Sequence, residues 1–558
     1  MDAWSRRDAL KLLGAAGALA LERPLPAAVD QAVASPLESA VARSNAAVRA
    51  LLTSQVTDGA GRYRGGIPDQ TGLHHPYSAG GAIETLAAAF IHPQSAFRGD
   101  AVLVDRIRLA AGFLERHQSP QGNIDLLTTN FNSPPDTGFV VHNVATAAAI
   151  ARRHGAPEIE TAVEPFLRRA GAGMAEGGVH TPNHRWVISS ALAQIHELFP
   201  DDRYVRRIDE WLAEGIDIDA DGQFTERSTL TYNVVTDRAL VVMAAKLGRP
   251  ALLDPVRRNL RALTYLLHAD GEVVTEISRR QDQYTRGNVT GYWFPLTYMA
   301  VADDDGQFAT LARDAAIEGT RLGALLEYPE MSSALPPLAP LPDDFERAMP
   351  AIGITRIRRG ATSTTLVLGG SSRLLTFRHG DAIVEGVRFA SAFFGKGQFV
   401  PTAAVKENGR FVYRQTLEGP YYQPIARTIT TDTYGPTRAE RRQSEVCRLE
   451  QSADVTEIPN GIEIRVRAIG TDNVPLAVEI AVREGGEWTG IRSVGPDQFV
   501  LEAGTATYRR GRHTLHIGPG AAPHQYVQVR GAEPRLPGQS LYITGFTPFD
   551  HTIRIEGR

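Results

Sequence analysis

One cysteine, Cys447, occurs in 558 residues, so no intrachain disulfide can form and packing must hold the fold. Lysine is nearly absent as well: only Lys11, Lys246, Lys396 and Lys406 stand among 59 basic residues, the rest being arginine. Against 63 acidic residues this gives a formal charge of -4, which excludes the basic field that drives sequence-independent nucleic-acid binding. No apolar run approaches the roughly 20 residues that a helix needs to cross a bilayer core, so no membrane span is expected. Sequence repeats of roughly 20 to 50 residues are missing too, which sets aside tandem arrays. What remains is a globular composition, 43% hydrophobic, 22% charged and 7% aromatic. It suffices to bury the cores of two large domains.

The N-terminus reads Ser5-Arg6-Arg7-Asp8-Ala9-Leu10-Lys11, then an apolar run from Leu12 to Leu21 and an Ala32-Val33-Ala34 triplet. This resembles a twin-arginine export signal over residues 1–34, leaving a mature chain that starts near Ser35 in the periplasm or outside the cell. Delivery in a folded state suits a chain without disulfides. Residues 35–330 then read as helices separated by Gly, Pro and Asp, the last of them from Gln307 to Leu325, with Trp186, Ile188, Leu192, Ile195 and Leu198 recurring at helical spacing in the one from Arg185 to Leu198. Short loops make successive helices antiparallel hairpins, and many hairpins in series predict an (α/α) toroid whose inner ends surround a cleft. Residues 331–350 hold Pro336, Pro337, Pro340, Pro342 and Pro350, an extended linker by composition. From 351 to 558 the period falls to two, as in Ile462-Glu463-Ile464-Arg465-Val466, and Gly-rich turns between such runs predict an antiparallel β-sandwich.

Chemistry concentrates in a few stretches. In Thr181-Pro182-Asn183-His184-Arg185-Trp186, Thr181 and Pro182 suit the N-cap and first position of a helix. Asn183 and His184 then fall in the first turn, where free amides and partial positive charge favour an anion and a neutral histidine. The segment from Asp221 to Arg227 opens with an Asp-Gly turn and leads to Tyr232 at another helix entrance, with Glu226 on the way. Glu276-Ile277-Ser278-Arg279-Arg280 comes after a second Asp-Gly turn, at Asp270. A polar loop from Asn130 through Asn132 to Asp136 opens the helix that carries His142. His74 and His75 are adjacent but lack a spaced third ligand, so no metal site is expected.

The order of these stretches resembles polysaccharide lyases built from a toroid of helices followed by a β-sandwich, including chondroitin, hyaluronate, xanthan, heparinase-like and alginate lyases. Those enzymes place Asn, sometimes Asn-His, at the start of an inner helix, then an Asp-Gly-x-Phe run leading to a Tyr, then an Ile-Ser-Arg segment. Here the matches are Asn183 and His184, then Asp221, Gly222, Phe224 and Tyr232, then Ile277, Ser278 and Arg279. Where the chondroitin type carries His after the Asp-Gly-x-Phe run, this chain has Arg227, and Tyr232 lies closer to the run than their tyrosine. The heparinase-like use of a sandwich histidine points to His379.

The resemblance implies β-elimination on a uronic-acid-containing polysaccharide or oligosaccharide, without metal or organic cofactor. Removing the proton beside a carboxylate requires that the carboxylate's charge be quenched, as in an oxyanion hole. Asn183 with Arg279 or Arg280 is the expected donor set; His184 or Tyr232 is the base, Tyr232 the acid, and His379 assists. Arg185, Trp186, Arg227, Arg280, Asn132, Asp136, His142 and Glu226 are the expected substrate contacts. Two alternatives remain open: a glycoside hydrolase using a carboxylate pair from Asp136, Asp221 and Glu226, or a non-catalytic glycan-binding protein of the envelope.

Overall fold

The computed structural model describes residues 35–59 and 61–558. The export signal read over residues 1–34 lies outside the described residues. The chain divides into two compact units: one takes the chain up to Leu266 with Gly271–Leu341, the other Leu267–Asp270 with Pro342–Arg558.

The first unit is helical: α1 (Pro36–Ser54), α2 (Pro76–Ile91), α3 (Ala101–His117), α4 (Pro134–His154), α5 (Pro157–Glu176), α6 (Pro182–Leu198), α7 (Asp202–Ala213), α8 (Tyr232–Leu247), α9 (Leu253–Leu263), α10 (Trp293–Asp303), α11 (Gly306–Gly319) and α12 (Leu322–Glu327). Contacts run α2 to α4 to α6 to α8 to α10, while α3, α5, α7, α9 and α11 pack behind them. Burial separates the two rings. Helix α6 is buried on almost every side, including Asn183, Ser189, Ser190 and Gln194, whereas α7 buries only Tyr204 and Ile208. A helix buried on all sides belongs inside, and one that buries a single stripe belongs outside.

The inner helices are parallel and in register. His142 bonds Ser190 at 2.9 Å and Gln194 bonds Thr146 at 3.4 Å, both pairs 48 residues apart. Glycine sets the spacing near the first turns: a Cβ on Gly80 would stand 2.9 Å from Val140 Cγ1, and one on Gly138 would stand 3.0 Å from Val187 Cγ1. The helix N-termini therefore gather at one end of the ring, with proline at the first position of α2, α4 and α6. The single helix expected from Gln307 to Leu325 is two, because Thr320 at ψ 129° takes the chain out of α11 before α12 begins. The polar loop expected from Asn130 is strand β2 (Asn130–Ser133), paired antiparallel with β1 (Ile124–Leu126).

The second unit is a sandwich. One sheet has nine strands in the order β14 (Arg492–Gly495), β15 (Gln498–Val500), β18 (Gln539–Phe546), β12 (Pro475–Val482), β7 (Ala382–Ser391), β6 (Leu375–His379), β5 (Thr362–Val367), β4 (Ile354–Arg359) and β3 (Asp344–Met349). The other has eight in the order β13 (Glu487–Thr489), β16 (Ala506–Arg510), β17 (His513–Gly518), β19 (Phe549–Gly557), β11 (Gly461–Gly470), β10 (Gln443–Ile458), β9 (Arg410–Tyr422) and β8 (Ala404–Glu407). Neighbouring strands are antiparallel except β15 (Gln498–Val500) and β18 (Gln539–Phe546), which run parallel. Phe377, Phe389, Val478 and Ile480 of the first sheet share one core with Val455, Ile464, Ile553 and Ile555 of the second. Period-two alternation is the cause, since one face of each sheet must be apolar to meet the other. Strand β3 (Asp344–Met349) occupies the last part of the stretch read as a linker, and Pro336, Pro337 and Pro340 precede it without regular structure.

Candidate active site

Three segments of the helical unit meet at the N-termini of α6 and α8. Thr181 is the N-cap of α6, yet its hydroxyl caps no backbone amide and instead accepts from Asn183 Nδ2 at 3.3 Å. The same amide donates to Glu226 Oε2 at 2.5 Å. Asn183 is 2% and Glu226 6% exposed, so this bond forms away from bulk water. Burial raises the Glu226 pKa, opposed by the Asn183 hydrogen bond and the Arg280 charge. Glu226 Oε1 stands 3.5 Å from Arg280 Nε, an ion-pair distance without a hydrogen bond.

Arg280 lies over the ring of Tyr232, its guanidinium carbon 5.0 Å from the centroid. Tyr232, first residue of α8, accepts from Gln281 Nε2 at 2.9 Å through its phenol oxygen. The loop is tied from beneath: Arg279 N–H donates to Glu226 O at 3.1 Å, Arg280 N–H to Ser278 Oγ at 3.1 Å, and Leu230 N–H to Asp282 Oδ2 at 3.0 Å. Asn183, Glu226, Arg280 and Tyr232 thus form one chain of contacts. The Arg280 side chain is 35% exposed, and no described residue bonds its two terminal nitrogens. The Arg279 side chain points to solvent and is close enough to Arg227 to lower that residue's pKa, after burial, by like-charge repulsion.

His184 is buried beside this chain, its ring edge-on to His180 at 4.7 Å and to Phe139 at 6.2 Å. Burial, then the charges of His180 and Arg280, push its pKa down to about 3, so the ring is neutral in ordinary buffers. Among the described residues its Nδ1 has no hydrogen-bond partner. One turn below Phe139 on α4, His142 bonds Ser190, and burial brings it also to about 3.

Other expected contacts are occupied elsewhere. Arg185 pairs with Glu214 at 3.0 Å and Asp217 at 2.9 Å, and Trp186 Nε1 donates to Asp217 at 3.0 Å from a fully buried ring. These two residues anchor α6 to the segment after α7. Asn132, at φ 47°, accepts from Ser119 and Asn123 beside its own hairpin, while Asp136 accepts from Asn130 at 2.9 Å and Ser133 at 2.5 Å at the start of α4. Arg227 is half-buried at φ 50° in the turn after Phe224. His379 belongs to the sandwich, where its Nδ1 lies 3.2 Å from Thr362 Oγ1 and its ring is edge-on to His513 at 5.5 Å. His75 lies 3.2 Å from Asp69 and His74 stacks on Tyr63 at 4.6 Å, so the two imidazoles face different partners. Among the described residues no three His, Cys, Asp or Glu side chains converge as metal ligands. His180, Phe139 and Gln281 escaped the sequence reading, and Thr181 entered it only as a helix cap. Only Gln281, next to Arg280, carried a positional signal.

No protein-family model and no curated protein matches the chain. Solved structures do. The chondroitin AC lyase of Streptomyces coelicolor A3, determined in complex with chondroitin sulphate, superposes with a TM-score of 0.56 at 14% identity, over 99% of this chain and 82% of that one. A Paenibacillus xanthan lyase superposes with a TM-score of 0.54 at 10% identity, over 93% of this chain and 57% of that one. The protein shares their fold of helical toroid followed by β-sandwich over nearly its whole length.

Proposed function

We propose that the protein is a polysaccharide lyase that cleaves uronic-acid-containing glycans by β-elimination. The observation that carries this reading is the convergence of Asn183, Arg280 and Tyr232, joined through Glu226 and with a neutral histidine beside them. Glu226 faces Arg280 at Nε and no described residue bonds the terminal nitrogens, the fork that takes a carboxylate in bidentate fashion. One hydrogen of the Asn183 amide is fixed by Glu226, while the other is held only by the 3.3 Å contact to Thr181 and can turn to a substrate oxygen. Together these donors quench the uronate charge, which lowers the cost of forming the enolate-like state.

His184 is the base of this scheme. Being neutral, it needs no prior deprotonation, and the arriving carboxylate raises the proton affinity of its ring. Tyr232 is the acid: its oxygen accepts from Gln281, so its own hydrogen is available to the leaving glycosidic oxygen. The carbon–hydrogen electrons become the new double bond, the glycosidic carbon–oxygen electrons leave with the oxygen, and Tyr232 protonates it. Hydrolysis by a carboxylate pair has less support, since Asp136 serves the start of α4 and Glu226 faces Asn183 and Arg280. We further propose delivery to the periplasm or outside the cell through the twin-arginine signal read at the N-terminus.

The test is a panel of purified uronate polymers, among them alginate, hyaluronan, chondroitin, heparan sulfate and glucuronan. New ultraviolet absorbance from a conjugated double bond is the expected result. Release of saturated sugars would instead establish hydrolysis.

A further inference from the structure

We propose that the β-sandwich carries a glycan-binding surface of its own, in which Phe394 and Tyr421 form an aromatic corner and Lys396 and Arg442 attract an acidic pyranose polymer. The corner is built into the backbone. Lys396 N–H bonds Phe393 O at 3.0 Å, closing a turn whose central residues Phe394 and Gly395 have φ 49° and 69°. Both signs are those of a type I′ turn, a position for Gly, Asn or Asp. A bulky aromatic side chain held there is a local strain that asks for a function.

The ring does not bury itself. Phe394 is 44% and Tyr421 57% exposed, and the two rings stand 5.6 Å apart at 69°. A glycine makes room for them: a Cβ on Gly419 of β9 would lie 2.2 Å from the Phe394 ring. Opposite Tyr421 the β9–β10 register slips between Ser444 and Cys447, with Glu445 at φ 43°. Such a bulge re-aims side chains at a strand end. Two rings meeting as wall and floor match the apolar face of a pyranose, and aromatic surface of this kind is rigid at low entropic cost.

Charge narrows the ligand. Gln423, two residues beyond Tyr421, donates its N–H to Arg442 O at 2.9 Å and its side-chain amide to Ser444, the partner of Tyr421, which sets Arg442 on the Tyr421 face. Neither Arg442 nor Lys396, two residues from Phe394, has a carboxylate within 4 Å among the described residues, whereas nearby Glu440 is taken by Arg427 at 2.8 Å. Aromatic walls beside unpaired cations suit an acidic polysaccharide rather than a neutral one.

The surface is tested by affinity electrophoresis of the full chain in gels containing alginate, hyaluronan or neutral dextran. Tyr232→Phe serves as background, so that turnover is suppressed and binding is read alone. Retardation by the acidic polymers and not by dextran is expected, weakened about fivefold or more by Phe394→Gly and by Tyr421→Ala and reduced by added salt. Glycine suits the left-handed turn, so Phe394→Gly should retain the parental melting temperature, which separates lost binding from lost folding. Mobility of both variants equal to the background protein, or no retardation by any acidic polymer, would overturn the proposal. So would concentration-dependent sedimentation abolished by Phe394→Gly, which would make the patch a contact between copies. Cleavage is read separately, so failure here leaves the lyase reading intact, and the reverse.

Discussion

Glu226 is where the site's geometry makes its sharpest demand. Replacing it by alanine removes the 2.5 Å acceptor of Asn183 and the charge that steers Arg280 at 3.5 Å. A hydrogen bond to a charged group is worth about 1.5–3 kcal/mol. At about 1.36 kcal/mol per tenfold, kcat/KM for a uronate polymer should fall about 10- to 150-fold in Glu226→Ala. Glu226→Gln keeps an acceptor for Asn183 and loses only the charge, so its loss should lie toward the lower end of that range. Stability should move the other way. The folded pKa of Glu226 is raised, so protonation favours the native state at low pH and the buried charge penalises it once pH exceeds that pKa. Glu226→Gln should therefore melt above the parent in neutral buffer, with the advantage vanishing as acid protonates the parent's carboxyl. The assays are initial rates of double-bond formation and calorimetry across pH. Equal activity in Glu226→Ala and the parent, or parallel losses of activity and melting temperature in both variants, would refute the positioning role.

Three further outcomes follow from the same contacts. Tyr232→Phe should lower elimination by about 10²–10⁴-fold, the range for a lost general acid, while equilibrium binding of substrate is retained; gel retardation and rate together check it. Lys246 and Glu327, side chains 5% and 2% exposed, pair at 2.9 Å inside the helical unit. Lys246→Ala should thus cost about 3–5 kcal/mol in urea unfolding, and Lys246→Met with Glu327→Leu much less. His142 and His184 both titrate at about 3 in the native state, far below the roughly 6.5 of the unfolded chain. Stability they support is complete above about pH 6.5 and declines toward pH 3, each adding a slope of about 1.4 kcal/mol per pH unit; unfolding at pH 7 and 5 measures it.

Periodicity is a local property, and much of the architecture was legible from it. The 3.6-residue pattern of α6 and the period-two alternation of β11 and β12 announce which faces must be covered, and covering them yields a ring of helices and a pair of sheets. Local propensity was less decisive at Thr320, where one extended residue divided an expected helix, and at Asn130, where a polar loop closed as a hairpin. The site was half legible. Asn183, Tyr232 and Arg280 stood out through helix starts and Asp-Gly turns.

The sequence by itself determined that helices would pair, that strands would alternate, and that polar groups would stand at the entrances of α6 and α8. Only the tertiary structure decided which of them meet. Glu226 binds Asn183 across 43 residues, Gln281 reaches Tyr232 across 49, and Arg185 is drawn away to Asp217 across 32. The physical reason is that a helix fixes the direction of its own side chains and nothing about its neighbour's. The choice among equally suitable partners falls to ring packing, set by close approaches such as Gly138 on Val187.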